Sequence, residues 1–191
     1  IVSALGILFS VAGIFAVRTG EDSRMSSLLR SLNIGITLSS VLLVASVIAL
    51  AVFDFFSWGV CAAALCGIVI GIIIGKTTEY YTSDDFEPTK RIARMAKIGP
   101  SSVIIEGLSS GMISSAVPVI SVAAGTIAAF SLAGGYRDIS SGLYGIAFAA
   151  VGMLATLGMT LATEAYGPIA DHAGGNAEMA QLPTHVRERT D

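Results

Sequence analysis

Three carboxylates recur at intervals of seven residues near the end of the chain: Glu164, Asp171 and Glu178. On a helix that interval is close to two turns, so successive members share one face and stand roughly 10 Å apart along the axis. Acids aligned in this way repel one another where the dielectric is low, and a cation between them removes the repulsion. Oxygen donors favour a hard divalent ion. Mg²⁺, which keeps several waters and is commonly shared with a phosphate group, suits them best. Glu164 and Asp171 are therefore the candidate metal and substrate ligands, and the competing reading is an acidic helix end in water with no ligand. Pro168 lacks the N–H that would bond the Glu164 carbonyl, so the helix is expected to bend or loosen there. Gly174 and Gly175 either permit a close backbone approach or end it.

The elements that must hold these residues are apolar. Of the 191 residues 53% are hydrophobic and 13% charged, with a mean hydropathy of +0.77, whereas an ordinary soluble domain carries roughly 25% charged residues. The net charge of −3 supports neither a nucleic-acid footprint nor an acidic solvating role. A membrane helix needs about 20 mainly apolar residues, and such runs lie at residues 1–17, 32–53, 55–75, 103–132 and 143–171, with a tail at 172–191. The expected fold is all-α: a polytopic transmembrane bundle of about five spans, residues 1–191 forming one membrane domain in a lipid bilayer. Only Asp54 separates the second and third runs, which requires a tight hairpin.

Basic residues test this division, because cytoplasmic connections carry an excess of Lys and Arg. The first connection holds Arg18, Arg24 and Arg30, the third holds Lys76, Lys90, Arg91, Arg94 and Lys97, and the tail holds Arg187 and Arg189. The Asp54 hairpin has none, and the turn near Gly135 has only Arg137, balanced by Asp138. This alternation puts the basic connections and the acidic end of the last span in the cytoplasm. Small residues spaced by four mark helix contacts in lipid; Gly67, Gly71 and Gly75 form one such stripe, Gly107 and Gly111 a second, Gly145 and Ala149 a third. Cys61 and Cys66 lack metal-ligand spacing and read as core or lipid-facing residues. Glu106, an acid inside a span, is functional or wetted by the interface. No secretory signal is visible, and the first residue, Ile1, suggests a start in mid-protein.

The stretch EAYGPIADHAGGNAEM at residues 164–179 resembles the signature of membrane-bound, ion-translocating inorganic pyrophosphatases, whose usual form is DAYGPIxDNAGGIAEM. The resemblance extends through TEYYTS at 78–83, IGPSSVIIEGLSSGMISSAVPV at 98–119, YGIAFAAVGML at 144–154 and the tail LPTHVRERTD. It implies a piece of a larger multi-helix pump, a homodimer that couples hydrolysis of inorganic pyrophosphate to movement of H⁺ or Na⁺. The implied setting is a bacterial or archaeal plasma membrane, or a vacuolar or other acidic-organelle membrane, with the active site on the cytoplasmic side. The implied substrate is a magnesium complex, with K⁺ as an activator. By the motif, Asp171 matches an aspartate that binds Mg²⁺ and substrate; Glu164 stands where the family has aspartate, its carboxylate one methylene further out. His172 replaces an asparagine and Asn176 an aliphatic residue. The family's other acidic and lysine-bearing motifs are not among these residues, so the chain alone is expected to hydrolyse nothing. Two alternatives stay open: a cation transporter or channel segment without hydrolysis, and a structural homologue that has lost catalysis.

Overall fold

The apolar runs fold as helices joined by short, capped turns. A computed structural model describes residues 1–18 and 25–186, the side chains at 25–30, 156, 163, 164 and 166 excepted. Eight α-helices appear among the described residues: α1 (Val2–Ala16), α2 (Met25–Val52), α3 (Trp58–Thr82), α4 (Glu87–Met95), α5 (Pro100–Ser114), α6 (Ala116–Leu132), α7 (Ile139–Met153) and α8 (Leu157–Met179), with a 3₁₀ turn at Leu154–Thr156. No strand occurs among those residues. Ser31–Val52, Trp58–Met95, Pro100–Leu132 and Ile139–Met179 are long and apolar enough to cross a membrane, and Val2–Ala16 is a shorter apolar helix. The all-α membrane bundle expected from hydropathy is what the chain forms. Arg24, Arg30, Arg187 and Arg189, which helped to orient the spans, lie outside the described residues or side chains.

The chain divides into two compact units, one gathering Ser3–Leu43 and Ala155–Asp191 with Ile1, the other Val44–Leu154 with Val2. In the second unit, α2 ends where Asp54 adopts a left-handed φ of 58°, a conformation Asp tolerates better than most residues. Phe55 N–H then reaches back to the Leu50 carbonyl at 3.0 Å, closing a Schellman-type end. Ser57 caps α3 by accepting from Val60 N–H, completing the hairpin. α6 stops in the same way at Gly134, whose φ of 87° lets Gly135 N–H bond the Phe130 carbonyl at 2.9 Å. Asp138 opens α7 by accepting from the amides of Ser140 and Ser141. Between α5 and α6 the helix breaks at Ser115, because Pro118 has no N–H for the Ser114 carbonyl and its ring crowds that oxygen; Ser114 and Ser115 hydroxyls instead bond the carbonyls of Gly111 and Met112.

Packing in this unit is backbone on backbone. Helices in lipid gain little from segregating apolar groups, so contact depends on how closely main chains approach. A methyl on Gly67 would run into the Ala149 carbonyl, one on Gly71 would lie 3.0 Å from the Met153 carbonyl, and one on Gly152 would meet the Ala64 carbonyl. α3 and α7 therefore touch along their glycines, and α6 joins them through Gly145 against Ala129 and Ala133. Ala63, Ala129 and Ala149 form the buried centre. The Gly107 and Gly111 stripe on α5 meets nothing within 4 Å, nor does Gly75. Cys61 is buried with its Sγ 3.9 Å from the Val47 carbonyl, and both cysteines are free.

In the first unit, α1 lies against α2 and α8. A methyl on Gly13 would come within 2.8 Å of the Gly35 carbonyl, and Gly6 faces Ala155.

Gly67→Ala should lower stability by about 1–3 kcal/mol, the usual cost of overpacking, outweighing the roughly 0.5–1 kcal/mol that alanine gains over glycine in a helix. An unchanged melting temperature in detergent would mean that α3 and α7 are not in backbone contact. The Asp138 carboxyl, held by the Ser141 hydroxyl and amide and by the Ser140 amide, is pulled below its ordinary value of 3.8. A depressed folded-state value gives stability that is complete above that ordinary value and lost as pH falls through the depressed one. Asp138→Ala should therefore melt below wild type at neutral pH, with the gap closing under acid; a gap independent of pH would show that the carboxylate is not the cap.

Candidate functional site

α8 runs through Gly174 and Gly175 without a break and ends at Met179. Its end is another Schellman-type stop: Gln181 takes a φ of 52° and Leu182 N–H reaches the Ala177 carbonyl at 3.0 Å, with Pro183 following. Pro168 sits inside α8 without ending it, and the interruption in this span falls upstream at Leu154–Thr156. Two of the three seven-spaced acids are thus fully described on one continuous helix. Asp171 and Glu178 are exposed; the backbone of Glu164 is in α8, and its side chain lies outside the described set. His172 and Asn176 are also exposed, while Ala177 is buried. Gly167 and Gly175 face open space, with nothing within 4 Å of where a side chain would start.

This helix end suits a cation. A helix carries partial negative charge at its C-terminus, where basic residues are normally stabilising; the last turn of α8 has none and carries Glu178 instead. Backbone and side-chain charge therefore have the same sign at the exposed end. The donors are hard oxygens, the right type for Mg²⁺, which takes about six ligands and commonly fills several positions with water and phosphate oxygens. Among the described residues no group of three or more His, Cys, Asp and Glu side chains is assembled. The arrangement fits part of a magnesium site, with Asp171 as the ligand from this helix.

The other acid singled out by sequence has a partner that spacing did not reveal. Glu106 accepts from Arg91 Nε at 2.8 Å, its side chain only 18% exposed. The pair ties α4 to the second turn of α5, and α4 packs against α5 and α3. Pro88 and Glu87 open α4 and Pro100 opens α5, so the polypeptide turns sharply between them and brings residues fifteen apart into contact. Other basic residues of this connection are also engaged: Lys76 with Glu79 at 2.8 Å, Arg94 with Glu87, and Lys90 Nζ with the Asp85 carbonyl at 2.7 Å. A second feature hidden from sequence is Ser10, a buried hydroxyl in the α1 apolar run; the only signal was its polarity among apolar neighbours.

The sequence matches the family described as inorganic H⁺ pyrophosphatase over residues 1–191. It is 53% identical to a Bacteroides thetaiotaomicron protein provisionally named a K⁺-stimulated pyrophosphate-energized sodium pump, covering 100% of this chain and 27% of that protein. A Clostridium tetani protein with the same provisional name is 42% identical over 100% of this chain and 28% of its own length. A Methanosarcina mazei protein named a K⁺-insensitive pyrophosphate-energized proton pump is 41% identical over 97% of this chain and 27% of its own. The chain thus spans about a quarter of the length of the curated relatives it matches.

The Arg91 and Glu106 pair can be tested by a double-mutant cycle. Arg91→Ala should cost on the order of 1 kcal/mol, the upper end for a pair with one exposed partner, and should cost little once Glu106→Gln is present; full additivity of the two changes would mean that the contact is not made.

Proposed function

Because the chain belongs to the inorganic H⁺ pyrophosphatase family, we propose that it is part of a membrane pump that hydrolyses inorganic pyrophosphate on the cytoplasmic side and moves H⁺ or Na⁺ across the bilayer. The observation that carries this reading is the family match over the full chain, which includes the exposed acidic end of α8. The three relatives all carry pyrophosphate-energized pump names, which favours hydrolysis over a passive cation path. Identity is higher to the two sodium pumps than to the proton pump, so Na⁺ is the ion to test first, with K⁺ as activator. The complete protein works as a homodimer in this reading, in a bacterial or archaeal plasma membrane or in an acidic-organelle membrane.

The chemistry is attack of water on a phosphoanhydride. Bound Mg²⁺ would neutralise charge on the phosphate oxygens and so favour the attack. Asp171 would hold the metal and, through it, orient the substrate. Glu164 would be a second ligand or would orient a water, its longer side chain reaching further from the helix than the family's aspartate. Glu178 extends the negative field of the helix end toward the cytoplasm and so attracts the cation that Asp171 binds. The rest of the ligand set would come from parts of the pump outside these residues.

In liposomes, the complete protein should release phosphate from pyrophosphate only with Mg²⁺ present and take up Na⁺ or H⁺ as it does so. Transport without pyrophosphate consumption would instead indicate a passive transporter, and absence of both would indicate a structural homologue. Asp171→Ala should reduce turnover by more than the roughly 10–100-fold typical of losing an outer partner of a metal site; activity near wild type would remove Asp171 from the site.

A further inference from the structure

Ser10 is fully buried in α1, and its Oγ accepts from the Met159 N–H of α8 at 2.8 Å. The first turn of a helix offers N–H groups that have no acceptor within the helix, and in lipid such groups must be met by protein. Here the 3₁₀ turn at Leu154–Thr156 forces α8 to begin anew inside the span, and a hydroxyl from α1, 149 residues away in sequence, meets one of its first amides. Gly158 allows the approach: a methyl there would stand 2.6 Å from Ser10 Oγ. Met159 itself is 1% exposed, its Cε filling the space over Gly35 of α2, and Ala155 lies against Gly6 of α1. The start of α8 is therefore fixed in rotation and in depth, whereas its acidic end is exposed.

We infer that Ser10 is a positioning residue for the Mg²⁺ and pyrophosphate site: its hydroxyl sets the rotational phase of α8 and thereby the direction in which Asp171 faces. Helical phase is not carried through an interrupted turn, so a contact after the break has to define it. A slip of one residue there would turn the helix by about 100°, and Asp171, twelve residues beyond Met159, stands roughly 18 Å further along the axis. The inference rests on the proposed function and concerns a residue that touches neither metal nor substrate.

The test uses the complete protein in detergent, with Mg²⁺ and methylenediphosphonate as a non-hydrolysable probe. The readouts are the Mg²⁺ concentration giving half of the maximal thermal stabilisation, the melting temperature without ligand, and pyrophosphate hydrolysis. Ser10→Ala should raise the half-saturating Mg²⁺ about tenfold, the low end for an outer partner of a metal site. Gly158→Ala, which displaces the hydroxyl, should do the same, and the double variant should shift no further, because both changes remove one hydrogen bond. If Ser10→Ala fails to fold, the half-saturating Mg²⁺ of Gly158→Ala decides between the outcomes by itself. A lower ligand-free melting temperature with unchanged half-saturation would make Ser10 a structural prop and overturn the inference, as would additive shifts in the double variant. If wild-type protein is not stabilised by Mg²⁺ with methylenediphosphonate, the substrate reading itself fails and takes this inference with it.

Discussion

Where Gly67 would carry a side chain, the Ala149 carbonyl already stands. Close backbone approach of this kind is the constraint on which the packing of the Val44–Leu154 unit depends. In water, α3 and α7 could be held together by expelling solvent from large side chains, but between helices in lipid that gain is small. What remains is dispersion, which falls off steeply with a gap of even half an ångström, so the helices must meet at their main chains. Gly71, Gly145 and Gly152 extend the same contact, and the centre is three alanines. Larger residues are consequently turned outward: Ile104, Ile105, Leu108 and Met112 on α5 are all more than half exposed.

That constraint also explains how far the sequence could be read. Spans were legible because hydropathy over about 20 residues is a long signal, and the turns were legible where one residue type dictates the backbone, as with Asp54, Gly134 and the Asp138 cap. The α3 glycine stripe and Gly145 with Ala149 were legible as contacts. The α5 stripe, Gly107 and Gly111, has the same spacing and meets nothing in this chain. Spacing identifies a surface able to pack closely and says nothing of whether a partner is there. The break in the last span shows the opposite failure: Pro168, the residue with the obvious means of interrupting a helix, lies within α8, while the interruption comes at Leu154–Thr156, which contains neither proline nor glycine. Its cause is non-local, for the amide that needs a partner finds it on α1.

Charge follows a similar division. The expectation that basic residues mark the cytoplasmic connection treats them as free in water, yet Arg91, Arg94, Lys76 and Lys90 are each held by an acid or a carbonyl. The pairing between α4 and α5 removes the anomaly of Glu106, whose position inside an apolar span had suggested function. Only contact across the turn between the two helices could reveal that, because no local pattern links positions fifteen apart.

The acids of α8 are the contrasting case, and the contrast bears on the metal. Glu106 has an arginine; Asp171 lies exposed on a helix whose last turn holds another acid and no base. Pyrophosphate is itself a multiply charged anion, so this surface would repel the proposed substrate if nothing intervened. Coulomb energy at such separations is several kcal/mol at the effective dielectric near a protein surface, enough to prevent binding. A divalent cation reverses the sign of each interaction, since it attracts both the carboxylates and the phosphate oxygens. On this reading Mg²⁺ is required for the substrate to approach α8 at all, before any bond is broken. The same argument accounts for an exposed helix end anchored only at its apolar start: the acidic face has to remain open to an ion and a substrate that arrive together.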